Sequence, residues 1–569
     1  MNRKNLTAAV LAGLAGAAGI AGTAQAVNLN PDGLGQVLIY PYYTSNSDNA
    51  TLLSVVNTTD QAKAVKVRFK EGYNSREVLD FNMYMSAWDV WVAAIADNEG
   101  TPTLFIPDST CTVPYLYGTA VANGEEVAEQ PFLPYAYTGA NADGGPTDIS
   151  RAAEGHFEMI EMGTLTNETA TAKRLGSAEA ATHVIDDEGN QWPADCQQLV
   201  DNWTENPDGM WIDDPDLDIA RNSGGLFGGG AIINVPKGTM FGYDAKAVQG
   251  YDKNPNGNHF RPGNIRPNLN DGGENDATIF FGVPQDKAVT LYGYPRGVDA
   301  VSAVFMHEYT MNEYNIEAAL NAASEWVITF PTKNWYVDPI NLVFATGWEP
   351  DQNDPGCGGW IPGEPFPSRD GPNPSDNTAG PGGQLGWELC TYVEFVIEGA
   401  YPPFTSVFDG EACEPFAMSV WDREENADDG PNNPVPPIVS PPPPGGGTPT
   451  APNEICYEVN IMRFGNDGVF VPVFGTTSDL LKTVDTGSIP YDNGTKSKPR
   501  QNGWARIDWG ADPDHVDYNG LVGLPVTGFW AEQFTNGFLG TPEASVLANY
   551  GGLFEHKGNV RRIAPRYVD

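Results

Sequence analysis

Apolar and polar residues alternate along two stretches near the beginning of the chain. Within 65–70 every second residue is apolar and the others are Lys or Arg, and 79–85 repeats the alternation. A period of two residues is typical of a β-strand with one face in the core and one in water. Two short apolar runs, 36–40 and 51–56, lie among Asn, Ser, Asp and Pro residues. The four segments predict an antiparallel sandwich rather than a parallel sheet.

Later segments repeat the strand signal more sparsely. Further strands are predicted at 156–162, 229–235, 326–330, 417–421, 455–464, 469–474, 504–509, 524–529 and 546–550. One short helix is predicted over 312–324, where apolar residues fall at helical spacing. Most of 118–275 is crowded with Asp, Asn, Gly and Pro, and long loops are expected there.

These patterns predict a mainly β protein. The expected fold is one of antiparallel β-sandwich (Ig-like) domains with long Gly/Pro/Asp-rich loop insertions and few short helices. The predicted regions are an N-terminal sandwich at 27–117, a loop-rich β region at 118–300 and a C-terminal β domain at 301–569. Insertions are expected at 351–386 and 428–453. The second contains four prolines and three glycines in a row, which suits either a hairpin tip or an interdomain linker.

The first 26 residues have the features of a cleaved signal peptide. Arg3 and Lys4 precede a run of small and apolar residues at 8–22, and the segment ends in Thr-Ala-Gln-Ala. An uncleaved anchor is the alternative. No later stretch has the roughly 20 apolar residues that a membrane-spanning helix needs. We therefore expect a mature chain that begins at Val27 and has no transmembrane segment. Its expected location is extracellular or at the cell surface, with the periplasm as the alternative.

Six cysteines fit an exported chain. They are Cys111, Cys196, Cys357, Cys390, Cys413 and Cys456, and none forms a CxxC pair, which disfavours a zinc ribbon or a thioredoxin-type site. An even number in this setting favours three disulfides among fifteen pairings. Order along the chain suggests Cys111–Cys196, Cys357–Cys390 and Cys413–Cys456.

The chain is strongly acidic, with a formal net charge of −43. Such an excess repels nucleic acid and anionic lipid, so neither is expected as a partner. It suits a solvated exported surface, cation binding or a saline environment.

No catalytic signature is recognisable. The six histidines form no HExxH motif, and no nucleophile elbow, P-loop or dinucleotide fingerprint appears in a suitable setting. A glycosidase needs only two carboxylates, which are plentiful and therefore uninformative. An enzyme is less expected than a binding or structural protein.

Calcium (Ca2+) is the small ligand with the best sequence support. Asp252, Asn254, Asn256 and Gly257 match the opening of a D-x-[DN]-x-[DN]-G loop, although Gly263 replaces the usual twelfth-position Glu. An ordinary polar turn is the alternative reading of this loop.

A second metal candidate is the alternating set Asp214, Asp216 and Asp218. On a strand these carboxylates would share one face, where a cation would relieve their repulsion. An ordinary polar turn is again the alternative.

Several tryptophans could offer stacking platforms for sugars. They are Trp88, Trp91, Trp203, Trp211, Trp335, Trp348 and Trp360. A protein of this size also needs core aromatics, and a core position is expected for most of them.

Four segments resemble a group of uncharacterised secreted proteins of proteobacteria. They are GQVLIYPYY at 35–43, the region 65–91, VITFPTK at 327–333 and GLPVTGF at 523–529. The resemblance implies one recurring extracellular architecture with variable loops, and it brings no catalytic residues.

The leading hypothesis is a secreted, non-enzymatic surface or extracellular-matrix protein that mediates adhesion or assembly and is ordered by calcium. The alternative is a carbohydrate-active protein, either a glycan binder or a hydrolase. The expected partners are surface polysaccharide, other envelope or matrix proteins, or further copies of the chain.

Overall fold

The computed structural model describes most of the chain from residue 26 onward. The described residues are 26–116, 120–122, 125–187, 189–205, 209–254, 257–281, 287–345, 395–397, 399–422, 427–428, 453–466, 470–474, 480–481, 502–541 and 544–564. Over these residues the protein is mainly β, with antiparallel sheets in a sandwich arrangement.

The strands of the first half follow one another closely. They are β1 Asn28–Leu29, β2 Val37–Thr44, β3 Asn49–Asn57, β4 Lys63–Glu71, β5 Glu77–Met85, β6 Val90–Asn98, β7 Thr101–Ile106, β8 Cys111–Val113, β9 Ala120–Ala122, β10 Glu125–Pro131, β11 Glu154–Leu165, β12 His183–Ile185, β13 Gln191–Pro193, β14 Ile219–Ala220, β15 Leu226–Asn234, β16 Thr239–Asp244, β17 Lys246–Gln249, β18 Ala277–Phe281 and β19 Lys287–Leu291.

The second half contains seventeen described strands. They are β20 Met306–His307, β21 Tyr309–Asn315, β22 Ala322–Thr329, β23 Val343–Ala345, β24 Phe395–Ile397, β25 Glu414–Asp422, β26 Ala427–Asp428, β27 Asn453–Ile455, β28 Val459–Asn466, β29 Phe470–Phe474, β30 Asn502–Asp508, β31 Leu521–Val522, β32 Leu524–Pro525, β33 Thr527–Thr541, β34 Ala544–Glu555, β35 Lys557–Asn559 and β36 Arg561–Arg562.

The described helices are short. The α-helices are α1 Ser177–Ala181, α2 Cys196–Asp201, α3 Met210–Asp213, α4 Gly297–Ala303 and α5 Asn334–Val337. The 3-10 helices are Tyr135–Tyr137, Gly139–Asn141, Ile149–Ala153, Ala318–Leu320, Pro339–Asn341 and Trp509–Ala511. Among the described residues, no helix is long and apolar enough to cross a membrane.

Two large antiparallel sheets form the first sandwich. One has the order β1-β17-β2-β11-β4-β5-β8, and the other has the order β16-β15-β3-β6-β7-β10-β9. Inward-facing aromatic residues fill the space between them, and the rings of Tyr40 and Phe157 stack with centroids 4.1 Å apart. The strands predicted within 36–85, and those at 156–162 and 229–235, are confirmed.

The first sandwich uses strands from two predicted regions. Strand β11 lies between β2 and β4, and β15 pairs with β3. The two sheets therefore combine residues from 27–117 and 118–300, and the division into domains stays a prediction. The interval 118–275 is more structured than expected, because it also contains α1 to α3 and several short strands.

Two further sheets organise the C-terminal part. One has the order β26-β25-β30-β21-β35, and the other has the order β29-β28-β22-β33-β34. Their common core is aromatic, with Tyr314 and Phe464 stacked at 4.9 Å beside Trp326.

The helix predicted over 312–324 is wrong. The segment forms the end of β21, a 3-10 turn and the start of β22. Asn321 closes the turn in a left-handed conformation, with φ of 48°. The strands pair with β30 on one side and β33 on the other. These long-range ladders override a weak local helical spacing.

The predicted wet face of β4 is also wrong. Lys66, Arg68 and Lys70 are all buried. The segment after β17 covers this face, and the carbonyl of Asn264 accepts a hydrogen bond of 2.8 Å from Lys66 Nζ. The alternation correctly identified a strand but not what lies over each of its faces.

Candidate functional site

The hairpin formed by β33 and β34 is buried at its base and exposed at its tip. Phe529 and Ala531 of β33 lie in the core, whereas the strands beyond Phe534 project outward. The irregular register between Thr535 and Phe538 marks this change. Asn549 holds the projecting part, because its Oδ1 accepts from the Gly537 amide at 2.8 Å and its Nδ2 donates to the Lys237 carbonyl at 2.6 Å.

Large apolar side chains cover the projecting part. We define the hairpin surface as Phe538, Leu539, Val546, Leu547 and Tyr550. Phe538 is 73% exposed, Val546 is 66% exposed and Tyr550 is 60% exposed. The register puts Phe538 and Leu547 on one face of the hairpin, and Leu539, Val546 and Tyr550 on the other. Groups of exposed apolar side chains mark interaction sites on proteins.

The hairpin surface is also nearly free of charge. From residue 533 to 554 the sequence contains one charged residue, Glu543, whereas 18% of the whole chain is charged. If this segment faced only water, we would expect it to contain acidic residues as often as the rest of the chain does. The composition therefore favours contact with another surface over contact with water alone.

Strand β34 ends its sheet. It pairs with β33, and no backbone hydrogen bond joins its outer edge to another strand within the described part of the chain. The β15–β16 turn and the start of β16 lie against the face of β34 that carries Leu547, Asn549 and Gly551: Asn549 Nδ2 donates to the Lys237 carbonyl, and a Cβ added to Gly551 would lie 2.7 Å from the Met240 carbonyl oxygen. An exposed edge strand with apolar side chains is a template for pairing with another chain.

A second exposed surface lies on the outer face of the β25–β30–β21 sheet. We call it the aromatic strip: Trp421, Trp504, Arg506 and Tyr309. Trp421 and Trp504 face each other across the strands, and their rings stack with centroids 4.0 Å apart. Arg506 Cζ lies 5.2 Å from the Tyr309 ring centroid and 5.9 Å from that of Trp421. Trp504 is 38% exposed, so part of its indole remains available to a ligand.

The predicted carboxylate ladder at 214–218 is not a strand. Asp214 and Asp216 are exposed in turns after α3, where Asp214 Oδ1 accepts from the Asp216 amide at 3.1 Å. Asp218 is buried, and its carboxylate accepts from the amides and hydroxyls of Thr169 and Ser177. Asp218 therefore caps the start of α1 through Ser177, and its carboxylate does not face the same way as those of Asp214 and Asp216.

The loop at Asp252 retains one feature of a cation site. Asp252 Oδ1 accepts from the Asn254 amide at 2.8 Å and from Asn258 Nδ2 at 3.1 Å. Its Oδ2 is buried, and no donor reaches it within the described residues. Burial raises the pKa of the Asp252 carboxyl to about 6. Asn254 Nδ2 donates to the Gly257 carbonyl, and Asn256 lies outside the described residues.

Most of the described tryptophans lie in the core, as expected. Trp91, Trp203 and Trp211 are buried, and Trp203 Nε1 donates to the Tyr84 hydroxyl at 2.8 Å. Trp335 is partly buried, whereas Trp88 is exposed. Trp348 and Trp360 lie outside the described residues.

Two of the three predicted disulfides are confirmed. They are Cys111–Cys196 and Cys413–Cys456. Cys357 and Cys390 lie outside the described residues. The one group of potential metal ligands that clusters among the described residues is Glu411, Cys413 and Cys456, whose two sulfurs are already joined to each other.

The buried acid–base pair nearest to catalytic chemistry is occupied by structural contacts. His515 Nε2 and Glu414 Oε2 are 3.0 Å apart, and the Trp509 carbonyl lies 2.7 Å from His515 Nδ1. Burial alone would lower the pKa of His515, but the contact with Glu414 raises it. Glu414 also accepts from the Thr405 amide and hydroxyl. Since both side chains are fully buried, the pair holds β25 to the segment after β30.

Sequence reasoning missed the hairpin surface. The predicted strands at 524–529 and 546–550 are confirmed, but β33 continues to Thr541. The available signal was the scarcity of charge from 533 to 554 in an acidic chain.

Comparison with known proteins gives no match: no family model, curated protein or solved structure is significantly similar to the chain. Function is therefore argued from the two exposed surfaces.

Proposed function

We propose that this protein is a non-enzymatic extracellular or cell-surface component that assembles with further copies of itself through the hairpin surface. The observation that carries the proposal is the exposed, almost uncharged apolar tip of β33 and β34 at a free sheet edge. The predicted export and the two disulfides support the extracellular setting.

The net charge explains why copies would meet at this place. Two molecules that each carry a formal charge of −43 repel one another over most of their surfaces. The hairpin surface removes that repulsion locally and adds apolar area to bury. Antiparallel pairing of two β34 edges about a twofold axis would use the same patch on both copies. The sandwich below it supplies the rigid support.

Sedimentation of the purified protein at increasing concentration and ionic strength tests this proposal. Assembly should strengthen with salt, because salt screens the repulsion between acidic copies. Leu539→Glu adds a charge beside Val546 of β34 on the apolar surface of each copy and should abolish assembly. Ile185→Glu, at an exposed apolar position on β12, is the matched control and should behave like the wild type. A wild type that stays monomeric under all conditions, or a Leu539→Glu variant that still assembles, would overturn the proposal.

Glycan binding on the aromatic strip is the second candidate function. The C–H faces of a sugar ring pack on an indole, and a guanidinium donates to hydroxyls. Trp504 and Arg506 present these two groups side by side. Polysaccharide pull-down and sugar release would test binding and hydrolysis separately. Trp504→Ala should lose binding, whereas Trp88→Ala, at an exposed tryptophan elsewhere, should keep it. If the wild type neither binds polysaccharide nor releases sugar from it, this candidate function is excluded.

A further inference from the structure

We propose that Asp252 and Asn222 supply two oxygen ligands of a divalent cation site, with Ca2+ as the fitting ion. The site lies where the 252–258 loop meets the end of β11, and its role is independent of assembly through the hairpin surface.

The first observation is that the two carboxylate oxygens of Asp252 have different contacts. This side chain is 1% exposed. Its Oδ1 organises the loop by accepting from Asn254 and Asn258. Its Oδ2 meets no donor among the described residues. A buried carboxylate oxygen without a partner is costly unless a donor or a cation supplies the missing interaction.

The second observation is an equally unpartnered oxygen on Asn222. This side chain is 7% exposed, and its Nδ2 donates to the Glu161 carbonyl. Its Oδ1 is buried and meets no donor in the described part of the chain. An amide oxygen and a carboxylate oxygen are both acceptors, so they cannot satisfy each other.

Adjacent residues of β11 bind Asn222 and Asn258, and the Asn258 side chain donates to Asp252 Oδ1. Asn222 is tied to the Glu161 carbonyl, and the Asn258 amide donates to the Met162 carbonyl at 2.6 Å. A Cβ added to Gly163 would lie 3.9 Å from Asn222 Oδ1, and one added to Gly257 would lie 3.3 Å from Gly163 Cα. The loop and Asn222 therefore meet over the same end of the strand.

The charges around the site compensate Asp252 only in part, because burial and Glu161 oppose the ionised carboxylate and Arg221 favours it. Glu161 itself is paired, since its Oε1 is 2.7 Å from Lys63 Nζ. Arg221 donates to the backbone carbonyl of Asp252 at 3.4 Å. Two acceptor oxygens that no donor among the described residues reaches suit a hard cation, and Ca2+ takes carboxylate, amide and water oxygens in a flexible shell.

Calorimetric titration of the chelator-treated full chain with CaCl2 tests the site, with thermal unfolding read on the same samples. The wild type should bind Ca2+ and unfold at a higher temperature than in chelator. Asp252→Asn removes the charge but keeps an acceptor for the loop, and it should weaken binding by roughly 10-fold or more. Asp214→Asn, at the exposed turn after α3, is the matched control and should bind like the wild type.

A second variant keeps the test decisive if Asp252→Asn does not fold. Asn222→Asp adds a charge at the other ligand and should strengthen Ca2+ binding. Three results would overturn the proposal. They are a wild type whose heat signal and melting temperature do not change with Ca2+ or chelator, an Asp252→Asn variant that binds Ca2+ like the wild type, and an Asn222→Asp variant that binds Ca2+ no more tightly than the wild type. Each of these results would assign the two oxygens to buried water.

Discussion

Strand β4 and the β33–β34 hairpin both depart from the usual arrangement, in which charged residues are exposed and apolar residues are buried. Lys63, Lys66, Arg68 and Lys70 of β4 are buried, whereas the apolar side chains of the hairpin surface are exposed. Both segments have strand-like sequences, so local pattern does not separate them. What differs is whether another part of the chain covers the face, and this depends on contacts between residues far apart in sequence.

Burial of charge on β4 is tolerable because acids on neighbouring strands meet each cation. Lys63 Nζ lies 2.7 Å from Glu161 Oε1, and Arg68 Nη1 lies 2.8 Å from Glu158 Oε1. Such pairs add little net stability, because desolvation offsets their attraction, but removing one partner leaves a buried charge alone. On the hairpin surface, the β15–β16 turn lies beside Leu547, but Phe538, Val546 and Tyr550 remain at least 60% exposed. We therefore assign this exposed part to a second copy of the chain.

The largest effect should separate the base of the hairpin from its tip. Phe529 of β33 is 1% exposed, and Phe529→Ala should lower the free energy of unfolding by about 3–5 kcal/mol. Phe538→Ala, at the exposed tip of the same strand, should change it by no more than about 0.5 kcal/mol. Urea unfolding measures both. Equal costs would mean that the tip is packed against the monomer.

The next effect should come from the buried charges of β4. Lys63→Met leaves Glu161 uncompensated and should cost about 3 kcal/mol. Arg261→Met breaks an exposed pair with Glu205 and should cost less than about 1 kcal/mol. The same urea experiment compares them, and a Lys63→Met variant as stable as the wild type would contradict our account of β4.

A graded effect should appear on changing pH, and each pH unit should contribute less than the loss of Lys63 or of Phe529. Burial raises the pKa of Glu154 to about 8, and its Oε2 accepts from the Tyr42 hydroxyl at 3.0 Å. Because the folded pKa exceeds the unfolded one, the native state holds an extra proton between them. Stability should therefore fall as pH rises from about 4.5 to about 8, by at most about 1.4 kcal/mol per pH unit, and then level. Glu154→Gln should remove this part of the slope in unfolding curves measured across the range. An unchanged slope would show that Glu154 does not titrate in this window.

The smallest effect should come from the aromatic strip. Trp504→Ala removes one partner of a stacked pair on an exposed sheet face and should cost about 0.5–1.5 kcal/mol. Thermal unfolding measures this change, and a loss comparable to that of Phe529→Ala would place Trp504 in the core.

The sequence predicted local structure better than it predicted environment. The alternation in 65–70 and 79–85 identified β4 and β5, and chain order identified two disulfides. Burial of the β4 cations depends on segments far along the chain, such as the one that contains Asn264. The same limit explains the wrong helix over 312–324, where pairing with β30 and β33 decided the outcome.

For the candidate sites too, the sequence indicated the segment but not its surroundings. The D-x-N-x-N-G pattern directed attention to Asp252, but the proposal for Asn222 depends on its position beside β11, which the sequence does not show. The hairpin surface was visible as a nearly uncharged segment, yet only the structure shows that it projects from a sheet edge.

Hydrogen exchange at increasing protein concentration tests the central claim most directly. If copies pair through β34, the outer-edge amides of this strand should gain protection as concentration rises, while the amides of β12 should stay unchanged. Protection of the hairpin that does not depend on concentration, in a protein that remains monomeric, would contradict the proposed assembly.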